Sequence, residues 1–324
     1  MNFGRRFIFP EEQWKERERA MRLAWISIAV LASTAVLMYL TLGQSEAMKT
    51  AWVEDLLGMI PPIVILIAYR IETREPTKRF PYGYFRAVSV AFLVTAAVLA
   101  IAGLSLLFDA VTKLLARERP PIGAITLFGH QFWLGWAMIV ALSYSIAGGL
   151  VLGMRKRPVA EKLHDKALDA DADMNKADWM SEGAAIVGVL LVGYGKWWGD
   201  AAAAGFISIN IIRDGIRNLR EVLADLMDET PTKLGGVETE DLPQRIASEA
   251  EKLDWVEKAS VRLREQGHVL NGEVFVVPKG DEVRVSKIEE ASRELAKIDW
   301  RIYTLSVMPV SGLEDGNLPQ IESR

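Results

Sequence analysis

The sequence predicts an α-helical membrane bundle of six transmembrane helices, followed by a small cytoplasmic α+β domain. Three observations carry this. Several uncharged apolar runs approach or exceed the ~20 residues a spanning helix needs. Half of the 324 residues are apolar, yet a quarter are charged and the mean hydropathy is only +0.14, too polar for a chain wholly in lipid. After residue 220 the pattern changes to short amphipathic segments of helix and strand period.

The spans are expected at about 22–43, 50–70, 86–109, 128–154, 176–196 and 200–219. Leu23–Ser45 and Ala87–Phe108 hold no charge, and Pro120–Met154 is long enough for a loop and a helix starting near Phe132. The second span reaches spanning length only by including Glu54 and Asp55, and the fifth only by including Asp178 and Glu182. The sixth is bracketed by Asp200 and Arg213. Basic residues favour one side: Arg5, Arg6, Lys15, Arg17, Arg19 and Arg22 before span one, Arg70 to Arg86 after span two, and Arg155 to Lys166 after span four. Both termini are therefore expected in the cytoplasm, in a multi-pass protein of the cell (inner) membrane. Residues 1–21 are read as a cytoplasmic segment and no cleavable signal, and Phe7–Trp25 as a lead-in helix.

Residues 220–238 read as an exit helix and a linker, marked by Thr230-Pro231-Thr232 and Gly235-Gly236. In the domain at 239–312, Leu242–Leu253 is expected as a helix, and Ala259–Glu265 and Val269–Val277 as strands. Val285–Ile298 is expected as a helix and Tyr303–Met308 as a third strand, before a tail at 313–324. That order, αββαβ, makes a small open sandwich.

Composition excludes several functions. There is no cysteine, hence no disulfide, thiolate site or redox motif. Three histidines and a net charge of −4 give neither a His-rich loop nor a nucleic-acid footprint. No nucleophile–base pair or phosphate-cradling glycine loop points to an enzyme.

Carboxylates inside spans are the main functional signal, because a charge at the bilayer centre costs about 3 kcal/mol on insertion scales. Asp171, Met174, Asp178 and Glu182 follow one another at helical spacing along one stripe of span five. Asp55 and Met59 form a one-turn pair in span two, just before Pro61-Pro62, with Glu54 turned about 100° away. Two facing one-turn pairs would supply four ligands to a divalent cation. Asp171 and Asp173, at the start of span five, are expected to be solvated, as is the acid-rich run around His164, Asp165 and Asp169.

Four segments together resemble the cation diffusion facilitators. Arg79-Phe80-Pro81-Tyr82-Gly83-Tyr84-Phe85-Arg86-Ala87 resembles that family's HPYGHGRAE loop, and Ala100–Val111 the end of its third helix. Ala170-Asp171-Ala172 leading to Asp178 resembles its ADALHxxxD segment. Gly199-Asp200-Ala201, Arg213-Asp214-Gly215 and Leu226–Pro231 resemble its sixth helix and exit. The resemblance implies a homodimer with a ferredoxin-like cytoplasmic tail. It also implies proton-coupled export of a divalent cation, with one metal site per protomer between helices two and five. Zinc, manganese, iron and cobalt all stay open as the cargo, and no tightly bound cofactor is expected.

Carried over residue by residue, the family's ligand positions fall on Asp55, Met59, Met174 and Asp178. Two thioethers stand where the family has an acid and a histidine or acid. Thioether is a soft donor, so Glu54 and Glu182 are candidate replacements. The loop before span three has Tyr84 and Val88 where relatives have a histidine and a glutamate. Ser306-Val307-Met308-Pro309 replaces HVEP, leaving His268 as a lone surface histidine. The resemblance thus also admits a non-transporting scaffold that partners a paralogue, or a carrier of an atypical ion.

Overall fold

The computed structural model describes residues 9–117, 123–127, 130–234 and 238–313. Arg5, Arg6, Phe7 and the Gly235-Gly236 pair lie outside the described residues. The chain divides into two compact units. One holds 13–71 and 87–223; the other holds 1–12, 72–86 and 224–324.

Helices make up the first unit. They are α1 (Glu11–Thr41), α2 (Glu46–Gly58), α3 (Ile60–Glu72), α4 (Ala87–Ala116), α5 (Leu134–Leu163), α6 (Lys166–Gly193) and α7 (Gly199–Leu226). Among the described residues four segments are long and apolar enough to cross a membrane: α1, α2 with α3, α4, and α5. Trp25, Leu40, Ile101, Phe108 and Val140 face outward, so these helices are apolar on the outside as well as within. The 28-residue α6 and α7 are long enough but more polar.

Helix two breaks where sequence chemistry requires it. Met59 caps α2, and Pro61 and Pro62 fall in the first turn of α3, where a proline ring is tolerated and a missing N–H costs nothing. Helix α5 begins at Leu134, later than the expected start near Phe132. The preceding segment forms a two-stranded hairpin, β1 (Ala124–Leu127) with β2 (His130–Trp133), in which Ala124 pairs with Trp133.

Helices α5 and α6 extend past the expected membrane boundaries and are joined only through His164 and Asp165. His164 takes a left-handed conformation (φ 49°) as the α5 cap, and Asp165 caps α6 by accepting from Leu168 N at 3.0 Å. The run expected as a solvated loop is therefore helix. Asp165, Asp169 and Asp171 are all buried. At that end of the bundle Arg17 bonds the Tyr69 carbonyl and Tyr69 donates to Asp165, above a core of Leu23, Ile65, Val159 and Leu168. A second core runs through Met38, Met48, Leu99, Met138, Leu142 and Ile207.

In the second unit α8 (Leu242–Glu251), β3 (Val256–Gln266), β4 (Val269–Pro278), α9 (Val285–Leu295) and β5 (Ile302–Pro309) follow in the expected order. Strands β3 and β4 are antiparallel and β4 and β5 parallel, the latter through the α9 crossover. The hairpin turns at Gly267 (φ 62°) and His268, while Asn271 and Gly272 lie within β4. His268 is not the surface residue expected: it is 3% exposed, and its Nδ1 donates to the Glu72 carboxylate at 2.9 and 3.0 Å. Arg301 is also buried, doubly bonded to Glu240 at 2.7 Å. Desolvation pulls its pKa down, but bonds to Glu240 and Asp299 outweigh that and leave it raised.

Candidate metal site

Helices α2 and α6 pack side by side, and each turns acids toward the other. Asp55 is 5% and Glu182 3% exposed, while Glu54 and Asp178 are half-buried by residue. Glu54 lies within electrostatic reach of Asp178, Glu182 and Asp55. Four carboxylates thus share the interior between two helices, and like charges this close oppose folding unless something neutralises them.

Hydroxyls surround the cluster. Ser145 of α5 donates to Asp55 Oδ1 at 3.4 Å, Thr34 of α1 stands beside the same carboxylate, and Ser181 of α6 is next to Glu54. Even so, Oε2 of Glu54, Oδ2 of Asp55 and Oγ of Ser181 are buried with no hydrogen-bond partner among the described residues. Buried carboxylate oxygens left unpaired mark a place for a cation or a proton. The side chains do not form a finished shell: among the described residues no three His, Cys, Asp or Glu converge tightly enough to hold a metal ion.

Met59 and Met174 stand one helical turn from Asp55 and Asp178 in the sequence. Met59 is at the break between α2 and α3. Met174 packs partly against the larger core and lines a cleft with Asp171 and Asn218. The expectation that Asp171 is solvated fails: it is 4% exposed and pairs with Lys156 of α5, Nζ to Oδ2 2.7 Å, with Lys156 fully buried. The side chain of Asp173 lies outside the described residues. Sequence reasoning missed Thr34, Ser145, Ser181, Lys156 and Asn218. Lys156 lay hidden in Arg155-Lys156-Arg157, which reads as a basic loop, and small hydroxyl residues in an apolar span carry no signal of their own.

Asp200, at the start of α7, anchors α2. Ser45 Oγ donates to its Oδ1 at 2.6 Å, and the Glu46 N–H bonds its Oδ2. Lys113 of α4 pairs with Glu46 at 2.6 Å. The acid-bearing helix is thus fixed at its first turn.

Residues 17–227 match the model of the cation efflux transmembrane domain. The chain is 26% identical to the manganese efflux system protein MneS of Bacillus subtilis, over 67% of this chain and 71% of that protein. It is 23% identical to a cadmium, cobalt and zinc/H(+)-K(+) antiporter of Bacillus velezensis, over 57% of this chain and 54% of the relative. An uncharacterized transporter of Methanocaldococcus jannaschii is 26% identical over 50% of this chain and 53% of its own length. The matches thus span about half the length of the last two relatives.

Proposed function

The chain belongs to the cation efflux family, the cation diffusion facilitators, and we propose that it exports manganese(II) in exchange for protons through the carboxylates between α2 and α6. The observation that carries this reading is the cluster itself: Glu54, Asp55, Asp178 and Glu182, with unpaired buried oxygens, and hydroxyls around them. Its donors are all oxygen. Such a set suits a hard ion such as manganese(II) better than copper(I), and lacks the imidazole and thiolate that favour zinc. The likeness to a manganese efflux protein points the same way. Metal ligands must be deprotonated, so one set of oxygens binds either the cation or protons. Exchange then needs no histidine. In this reading α6 and α7 complete six spans, both termini are cytoplasmic, and the αββαβ unit pairs two copies of the chain.

The test is flux in proteoliposomes holding the purified protein and a pH-sensitive dye, with manganese, zinc, cobalt, cadmium, iron(II) and copper(I) offered in turn. Manganese should drive opposing proton movement, and Asp178→Ala should abolish it. A folded dimer that moves none of these ions would overturn export and favour a scaffold role.

A further inference from the structure

Residues 73–86 form a loop tied at both ends to membrane-capable segments, α3 before it and α4 after it. Its backbone is fixed from within. Thr77 and Phe80 exchange backbone hydrogen bonds of 3.2 and 3.0 Å, and the Gly83 N–H donates to the Phe80 carbonyl at 3.0 Å, with Gly83 at φ 84°. The Phe80 and Tyr84 rings lie 4.9 Å apart, and the Arg79 guanidinium stands 5.6 Å over Phe80. Phe85 is buried, its ring 5.1 Å from that of Tyr303.

The outer side of this loop is both aromatic and basic. Phe80 is 44% and Tyr82 76% exposed, and Arg74, Lys78 and Arg79 are exposed as well. Between residues 73 and 85 three cations stand against one acid, Glu75. Glu72, just before them, is bonded to His268. We propose that this loop binds the phosphate headgroups of anionic phospholipid, with Arg74, Lys78 and Arg79 on the phosphates and Phe80 and Tyr82 at the membrane–water interface. The proposal needs the membrane spans but not any particular transported ion.

Three arguments favour lipid as the occupant. A short loop between two spanning segments stays near the bilayer surface, where phosphates are the densest anions. Amphipathic rings and basic side chains are the residues that this zone favours, each cation gaining from a negative surface. A second copy of the chain is a poorer partner, because across a twofold axis the patch would meet itself and bring like charges together. Orientation of the spans accounts for the cations but not for aromatic rings held outward by two successive turns.

The chain has no cysteine, so Tyr82→Cys can carry a single environment-sensitive fluorophore. The full chain, in an uncharged detergent, is titrated with dioctanoyl phosphatidylglycerol and, separately, with dioctanoyl phosphatidylcholine. The anionic lipid should shift the emission to the blue at a far lower concentration than the zwitterionic one. Lys78→Gln should raise the half-saturating concentration about fivefold, and Arg74→Gln, Lys78→Gln and Arg79→Gln together about a hundredfold. These side chains are exposed, so the triple variant should keep its melting temperature. Raising the salt to about 1 M should act like the triple variant. Equal titration by the two lipids, or an unmoved triple variant, overturns the proposal. So does the same shift from a fluorophore at Gly280→Cys, an exposed turn of the αββαβ unit, which would mean general uptake of lipid by the micelle. A shift produced by soluble glycerol phosphate would make this a site for free phosphate and overturn the lipid assignment. Emission already blue before lipid is added, reddening when the dimer is diluted apart, would put a second copy on the patch and overturn it too.

Discussion

Ser45 and Asp200, 155 residues apart in sequence, share a 2.6 Å hydrogen bond that ties the start of α2 to the start of α7. The same Ser45 oxygen accepts from Met48 N at 3.1 Å, so one hydroxyl both caps α2 and links two helices. Asp200 is 1% exposed and also accepts from the Glu46 N–H.

Asp200→Ala removes a charged acceptor from two donors at once. Charge-assisted bonds contribute about 1.5–3 kcal/mol each. The variant should melt markedly lower in detergent, and Asp200→Asn should recover part of the loss by keeping an acceptor oxygen. Because α2 carries Glu54 and Asp55 two to three turns further on, metal affinity should fall with the anchor. An Asp200→Ala protein with unchanged melting temperature would show that the link is incidental.

Among the cluster residues the effects should be graded by role. Asp55→Asn and Asp178→Asn should reduce manganese flux to the liposome background, since in the proposed site each removes a charged ligand. Ser145→Ala removes only a neutral donor to Asp55, and supporting groups of this kind typically change affinity by roughly tenfold or more. Glu182→Gln discriminates between readings: a fall in affinity as large as that of Asp178→Asn makes Glu182 a ligand. Isothermal titration with manganese on each variant measures this ordering. Similar losses from Ser145→Ala and Asp55→Asn would undo it.

Much of the architecture was legible because it follows from period and punctuation. Alternation announced the strands of the second unit, and Pro61-Pro62 falls where span two breaks. Asp55 and Asp178 stood out because charge in an apolar run is costly. The misreadings share one cause: a charged residue near a span boundary looks solvated until its partner is known. Lys156 and Asp171 are 15 residues apart on different helices, and neither signals the other in one dimension. His268 looked like a surface residue because Glu72, its partner, lies 196 residues away.

Two glycines should respond oppositely to the same substitution. A Cβ on Gly215 of α7 would lie 2.7 Å from Ala100 N and 2.8 Å from Ala100 Cα, so α7 and α4 touch backbone to backbone there. Small residues permit such close helix approach in membranes. Gly215→Ala must push the helices apart, at a cost of about 1–3 kcal/mol. A Cβ on Gly183 of α6 meets nothing within 4 Å. Gly183→Ala should therefore gain up to about 1 kcal/mol of helix propensity. Thermal unfolding of both variants under one condition tests the contrast. A destabilised Gly183→Ala protein would mean that the open space beside Glu182 is used by something other than bulk lipid or water.

Met59 and Met174 permit the sharpest test of what sets ion preference. They occupy the positions at which the resemblance expects an acid and a histidine or acid, and they keep imidazole out of the interior. Met59→Asp with Met174→His rebuilds a shell of three carboxylates and one imidazole, donors that zinc accepts in tetrahedral sites. Zinc flux should rise relative to manganese, and zinc transport should acquire a dependence on pH near the histidine range of about 6.5. Manganese, which favours carboxylate oxygen, should lose less than zinc gains. If the double variant leaves the zinc-to-manganese ratio unchanged, Met59 and Met174 are packing residues. The transported ion would then be read by Glu54, Asp55, Asp178 and Glu182 alone.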